Sequence, residues 1–119
     1  SNAGGNCAMD RLEQYRQYIL TILTDHATCG RNPEGVEAQI LTDDEHHHYQ
    51  LMMVGWHDNR RVYGIILHFD IKDGKIWVHY NGTEDPVGDR LVEMGVPKTD
   101  IVIGFHSPFK RQFTEFAVG

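Results

Sequence analysis

Histidines are the side chains in this sequence best suited to bind a metal or to transfer protons. Of the eight, three form the run His46-His47-His48, while His68 and His79 fall in segments that alternate like β-strands. Zinc needs ligands that converge as a tetrahedron, and adjacent histidines in an acidic turn do not provide that arrangement. The pair His68 and His79 has no obvious third ligand. We therefore predict no metal site, and expect these two imidazoles not to retain a divalent ion.

Carboxylates offer a second kind of chemistry. The segment Asp70-Ile71-Lys72 places an acid and a lysine two positions apart on a strand, as in half of a metal-dependent nuclease site. A hydrolase of nucleic acids or nucleotides that uses Asp70, His68 and His79 is therefore an alternative function. Lys72, however, flanks a tight turn, and a charged residue at a hairpin end is commonly there for solubility. We therefore favour a structural role for this segment over a catalytic one.

No other motif indicates catalysis. Cys29 lies beside a predicted helix end without a paired base, and Ser107 neighbours His106 in a Ser-Pro turn, where adjacent side chains point apart. The sequence has neither a G-x-S-x-G nucleophile turn nor a glycine-rich phosphate loop. Taken motif by motif, the residues show no active site, and we predict no catalytic residues and no cofactor.

Composition and charge narrow the class of protein. The 119 residues suffice for one domain, and 17 acidic against 11 basic side chains give a net charge of −6. An acidic chain has no overall field to hold a polyanion, which argues against stand-alone binding of DNA or RNA. Apolar runs are far shorter than the roughly 20 residues that span a membrane. The two cysteines form no disulfide framework, and without a recognisable signal peptide we expect a cytoplasmic protein.

The hydrophobic periodicity predicts an α+β fold with one domain over residues 9–119. Residues 1–8 are interpreted as a tag remnant and a disordered leader. A helical stripe predicts a long helix over 9–28, which Gly30 would end. Period-two segments predict an antiparallel meander of four to five strands, at 36–41, 49–56, 62–71, 76–81 and 101–105. Short helices are predicted near 84–94, with Thr83 as N-cap, and near 108–114, after Ser107-Pro108.

The hairpin turn Asp73-Gly74 sets a register between two strands. Counting outward pairs Asp70 with Trp77, Phe69 with Val78 and His68 with His79. The helix is then expected to cover one face of the sheet, the apolar one, whose members are Phe69, Ile71, Ile76, Val78, Leu67, Tyr80, Ile65 and Tyr63.

The other sheet face is mixed in character and is predicted to be an interface. Its candidate residues are Tyr49, His68, Trp77 and His79, large side chains with polar tips of the type enriched at interface centres. A C-terminal segment with Phe109, Phe113 and Phe116 that folds back over this face is the alternative.

The ordered series of segments resembles the XisI family of cyanobacteria, the fdxN-element excision controlling factors. The matching segments are residues 12–23 (LEQYRQYILTIL), 49–56 (YQLMMVGW), 68–77 (HFDIKDGKIW), 82–84 (GTE), 91–98 (LVEMGVPK), 101–108 (IVIGFHSP) and 116–118 (FAV). The resemblance covers nearly the whole chain from Met9 onward. It departs from the family at Ser107, where the family has a further proline.

The resemblance implies a role rather than a reaction. The family's named member is required, with XisH and the recombinase XisF, for excision of a DNA element during heterocyst differentiation. XisH-type proteins resemble nuclease folds, and the family offers no catalytic residues to carry over. We therefore expect a non-enzymatic accessory factor that has an XisH-like partner, acts on a recombinase complex indirectly, binds no nucleic acid directly and has the capacity to form homo-oligomers. A small-ligand binding module is a further alternative, which a closed pocket would favour.

Overall fold

The computed structural model describes residues 7–29 and 32–119. The elements are α1 (Cys7–Cys29), β1 (Val36–Asp43), β2 (His48–His57), β3 (Arg60–Lys72), β4 (Lys75–Asn81), α2 (Val87–Met94), β5 (Ile101–Ile103) and α3 (Pro108–Arg111), with a short 3₁₀ helix at Lys98–Asp100 before β5. No helix in this described part is both long and apolar enough to cross a bilayer.

The strands form one mixed sheet in the order β1-β2-β3-β4-β5. The first four strands are an antiparallel meander, as predicted. The fifth strand is parallel to β4, with Ile76 beside Ile101, because α2 carries the chain back along the sheet before β5 begins. Within β5, Val102 also makes an isolated parallel bridge with Ala117 near the C-terminus. The predicted α+β class is confirmed.

Helix α1 packs on the apolar face of the sheet, which confirms the predicted packing. Its apolar stripe is buried because period-3.6 spacing puts these side chains on one side of the helix. The core joins Tyr15, Ile19, Ile22 and Leu23 of α1 to Tyr49, Leu51, Leu67, Phe69, Ile71, Ile76 and Val78 of the sheet. The helix begins at Cys7, so Cys7 and Ala8 are helical and not part of a disordered leader. The predicted leader over 1–6 and the predicted helix end at Gly30 lie outside the described residues.

Both short helices differ in detail from the prediction. Helix α2 begins at Val87 with Pro86 as N-cap, and Thr83 is not the cap, because its hydroxyl accepts from the amide of Asp85 in a turn before the helix. Gly95 ends α2 in the left-handed conformation, at φ 117°. Helix α3 stops at Arg111 rather than 114, and Ser107 caps it by accepting from the amide of Lys110 at 3.3 Å.

Candidate functional site

Two β-bulges reshape the sheet beside the predicted interface. Leu51 pairs with Leu67 and Met52 with Ile65, so Ile66 is an extra residue in β3. The second bulge lies between β3 and β4, directly after the pair formed by Phe69 and Val78.

In the second bulge, His79 is the extra residue, because the next pair after Phe69 and Val78 is His68 with Tyr80. A bulge reverses the alternation of side chains beyond it and often lies next to a functional site. The predicted pairing of His68 with His79 is therefore wrong, whereas the pairs closer to the Asp73-Gly74 turn are confirmed.

The bulges also correct the predicted faces. Tyr63 and Tyr80 were predicted to lie in the core, but they are 67% and 50% exposed. Tyr49 was predicted to lie beside His68, but it pairs with Phe69 and is fully buried in the core under α1. Tyr49 therefore leaves the set of candidate interface residues.

Three histidines converge on the carboxylate of Asp70. His48 Nδ1 lies 2.8 Å and His68 Nε2 2.9 Å from Asp70 Oδ1, while His79 Nε2 lies 3.0 Å from Oδ2. We call these four residues the His-Asp cluster. It spans the start of β2 and the adjoining parts of β3 and β4, on the sheet face opposite α1, which we call the open face. Its side chains come from three hydrogen-bonded strands, so the backbone of the sheet fixes their separation.

The cluster is half-buried, and this determines its electrostatics. The Asp70 side chain is 18% exposed, against 50% for His48. Burial raises the pKa of the Asp70 carboxyl, but the hydrogen bonds from His48 and His68 outweigh burial, so the pKa lies below its usual value. The hydrogen bond to Asp70 in turn raises the pKa of the His48 imidazole. Asp70 is thus a carboxylate surrounded by imidazoles, which can donate hydrogen bonds to it or bind the same ion as it does.

A shallow pocket gives access to the cluster. Its volume is about 330 Å³, and its lining includes Leu41 and Asp43 together with His48, His68 and Asp70. Gln50 also lines it, and its amide lies 3.3 Å from His68 Nδ1. Two imidazoles and one carboxylate with mutually close ligand atoms are a donor set for a transition-metal ion.

Sequence reasoning missed His48 and Gln50. The second hairpin turn, Asp58-Asn59, has positive φ at both residues, and counting outward from it without a bulge places Tyr49 opposite His68. The bulge at Ile66 shifts this register by one, so that His48 lies opposite Asp70. His48, a member of the histidine run, thereby supplies a ligand atom beside those of His68 and Asp70, a neighbour that the sequence did not indicate.

Trp77 lies on the open face beside the cluster and is partly buried. Its ring stacks on that of His79 at a centroid separation of 5.8 Å. The Arg111 guanidinium carbon lies 5.1 Å from the ring centroid, and the ammonium of Lys72 lies at 5.4 Å. Cations over an indole face are attracted by its quadrupole.

The C-terminal segment covers Trp77 only in part. Arg111 of α3 contributes that cover, whereas Phe109 and Phe113 are 68% and 71% exposed and pack on each other. Phe116 instead packs against the core under the sheet. The three phenylalanines therefore do not close over the open face, and the prediction that this face is an interface stays a prediction.

A second pocket bears on the small-ligand alternative. It has a volume of about 540 Å³ and lies between α2, β5 and the C-terminal segment. Gly88, Phe113 and Phe116 are among its lining residues, and most of its wall is apolar. Phe113 is largely exposed, so the pocket is not a closed cavity of the kind that would favour this alternative.

Comparison with known proteins finds similarity along most of the chain. The family model described as "XisI protein" matches residues 9–118. A XisI-like protein from Anabaena variabilis has a solved structure with TM-score 0.86 and 44% identity, over 91% of this chain and 99% of that one. The fdxN element excision controlling factor XisI from the same organism gives TM-score 0.78 and 34% identity, over 92% and 99% of the two chains. No curated protein matches the chain.

Proposed function

The chain belongs to the XisI family, and from this premise we propose that it is a non-enzymatic accessory factor that controls excision of a DNA element. In this role it acts with an XisH-like partner of nuclease fold and, through that partner, on a recombinase. The observation that carries the proposal is the similarity along 92% of the chain to a protein described as an fdxN element excision controlling factor. A role in DNA excision would place the protein in the cytoplasm.

Charge supports binding to a protein rather than to DNA. The net charge of −6 disfavours contact with the phosphate backbone, which takes most of its affinity from lysine and arginine. An acidic protein is suited to cover the basic surface of a nuclease-like partner, because complementary potentials steer association and exclude wrong partners.

The open face is the surface that we assign to this partner. Trp77 is an amphipathic aromatic residue on this face, and aromatic residues and arginines dominate the energy of many interfaces. Arg111 already lies over one side of Trp77, so a partner would extend a contact that exists within the chain. His68 and His79, with side chains 27% and 37% exposed, give the same surface hydrogen-bonding capacity.

Association with an XisH-like protein encoded beside this chain's gene is the direct test. We expect the two purified proteins to elute together from a size-exclusion column, at a volume that neither reaches alone. The proposal would be contradicted if the two eluted independently at concentrations well above micromolar while each remained folded.

Hydrolysis of nucleic acids is the second candidate function, and the His-Asp cluster is the observation that favours it. Its donor set has one carboxylate, from Asp70, and two imidazoles, whereas Mg²⁺ prefers oxygen ligands. This composition favours the non-enzymatic role over a Mg²⁺-dependent nuclease.

We therefore predict that the purified protein leaves supercoiled plasmid intact in Mg²⁺ or Mn²⁺. Gel electrophoresis after prolonged incubation measures this. The control is Asp58→Asn, a change at an 85% exposed aspartate away from the cluster. Nicking that disappears in Asp70→Asn but persists in this control would contradict the accessory role and indicate catalysis by the cluster.

A further inference from the structure

We propose that the His-Asp cluster is a binding site for a divalent first-row transition-metal ion such as Zn²⁺. His48, His68 and Asp70 supply the ligands, and His79 orients the carboxylate. Such a site would exist whether or not the protein controls excision.

The ligand atoms already lie close to the separations found in one coordination sphere. One atom each of His48, His68 and Asp70 lies within 4.8 Å of the other two. In a tetrahedral zinc site the ligand atoms are about 3.3 Å apart, given bonds of about 2.0–2.1 Å. The present separations of 2.8 and 2.9 Å from Asp70 Oδ1 need to widen by only about half an ångström. The half-exposed ring of His48 has the freedom to make that adjustment.

Two residues are placed to hold the ligands in orientation. Ligand histidines usually hydrogen-bond through their second ring nitrogen, and ligand carboxylates through their second oxygen. Gln50 lies 3.3 Å from His68 Nδ1, which leaves Nε2 for a metal once the amide presents its oxygen. His79 Nε2 lies 3.0 Å from Asp70 Oδ2, the oxygen that His48 and His68 do not contact.

The chemistry of the donors indicates the class of metal. Imidazole suits zinc, copper, iron and nickel, whereas sites for calcium and magnesium are built from oxygen. Three protein ligands leave one coordination position open, as in catalytic zinc sites. In this fold that position faces the pocket on the open face, where water or a side chain of a partner can occupy it.

Metal binding to protein without an affinity tag, stripped with a chelator, tests the site. Zn²⁺ affinity is measured by competition with a chromophoric chelator, and Co²⁺ is added as a spectroscopic probe of coordination. We expect one ion per chain and the visible absorption of four-coordinate Co²⁺. Affinity should fall at least tenfold in His48→Gln and Asp70→Asn, and about 10–100-fold in His79→Gln if that residue orients the carboxylate.

The control is His57→Gln, which removes another partly exposed histidine of β2, whose imidazole contacts the carbonyl of Glu34 instead of the cluster. His48 is exposed enough for its variant to stay folded, so it decides the question even if Asp70→Asn unfolds. The site would be refuted if the wild type bound no stoichiometric ion. It would also be refuted if His57→Gln lost as much affinity as His48→Gln, or if only His46→Gln lost binding, since the loop histidines would then hold the ion.

Discussion

Two half-buried aspartates show how single residues organise this protein. Asp70 is surrounded by imidazoles on the open face, whereas Asp85 joins the two larger helices. The Asp85 carboxylate accepts from Arg90 at 2.7 Å and lies 2.8 Å from the His26 ring of α1. Arg90 also donates to Asp25 of α1 at 2.7 Å. Burial raises the pKa of the Asp85 carboxyl, but the hydrogen bonds from Arg90 and His26 outweigh it, so this pKa is lowered.

A lowered pKa in the folded state makes Asp85 a source of stability above about pH 4 that is lost as pH falls through the folded pKa. We predict that Asp85→Asn lowers the free energy of unfolding by about 1–2 kcal/mol at neutral pH, because it weakens charge-assisted hydrogen bonds. The deficit relative to wild type should shrink as pH falls below about 4. Urea denaturation at a series of pH values measures it. Asp58→Asn, at a side chain 85% exposed, is the control; a deficit that stayed constant down to pH 2 would contradict this role.

At the scale of elements, local signals predicted the strands and turns, but not the bulges. The alternation of apolar residues and the Asp73-Gly74 turn placed β3 and β4 correctly next to the turn. An extra residue such as Ile66 or His79 has no local signature, because the bulge is decided by how two strands fit over the same core. Each bulge moves every residue beyond it by one position. That is why Tyr49 was predicted on the open face and His48 was not recognised as a neighbour of Asp70.

Glycines determine how closely β1 and β2 approach at one end of their pairing. A Cβ on Gly55 would lie 2.0 Å from the carbonyl oxygen of Gly35 and 2.8 Å from the Cα of Val36, both backbone atoms that cannot rotate away. Gly64, on β3, has nothing within 4 Å of such a Cβ. These positions form a matched pair within one sheet.

We predict that Gly55→Ala lowers the free energy of unfolding by about 1–3 kcal/mol, because β1 must move away from β2. Gly64→Ala should leave stability unchanged or slightly raised, since alanine in a strand reduces the freedom of the unfolded chain. Chemical denaturation of both variants measures the difference. Equal effects of the two changes would show that the close approach of β1 and β2 does not limit this sheet.

At the scale of the whole molecule, the two faces of the sheet have different roles. One face is sealed by α1 and supplies stability through the core, while the open face carries the His-Asp cluster and Trp77. The family membership is visible in the order of sequence segments, because those segments are the strands and helix ends that build this sheet. The same pattern does not identify a binding partner, because only the charge and the side-chain types of a surface indicate what it binds. The proposed function therefore depends on whether the open face binds the XisH-like protein.

The affinity of Trp77→Ala for that partner tests this claim most directly. Titration by isothermal calorimetry is compared with that of Phe113→Ala, which removes a largely exposed aromatic side chain outside the open face. Thermal unfolding of each variant establishes that it is folded at the titration temperature. We expect Trp77→Ala to weaken association at least about tenfold, as for an aromatic residue central to an interface, and Phe113→Ala to leave it unchanged. Undiminished association of a folded Trp77→Ala variant would contradict the assignment of the open face as the partner-binding surface.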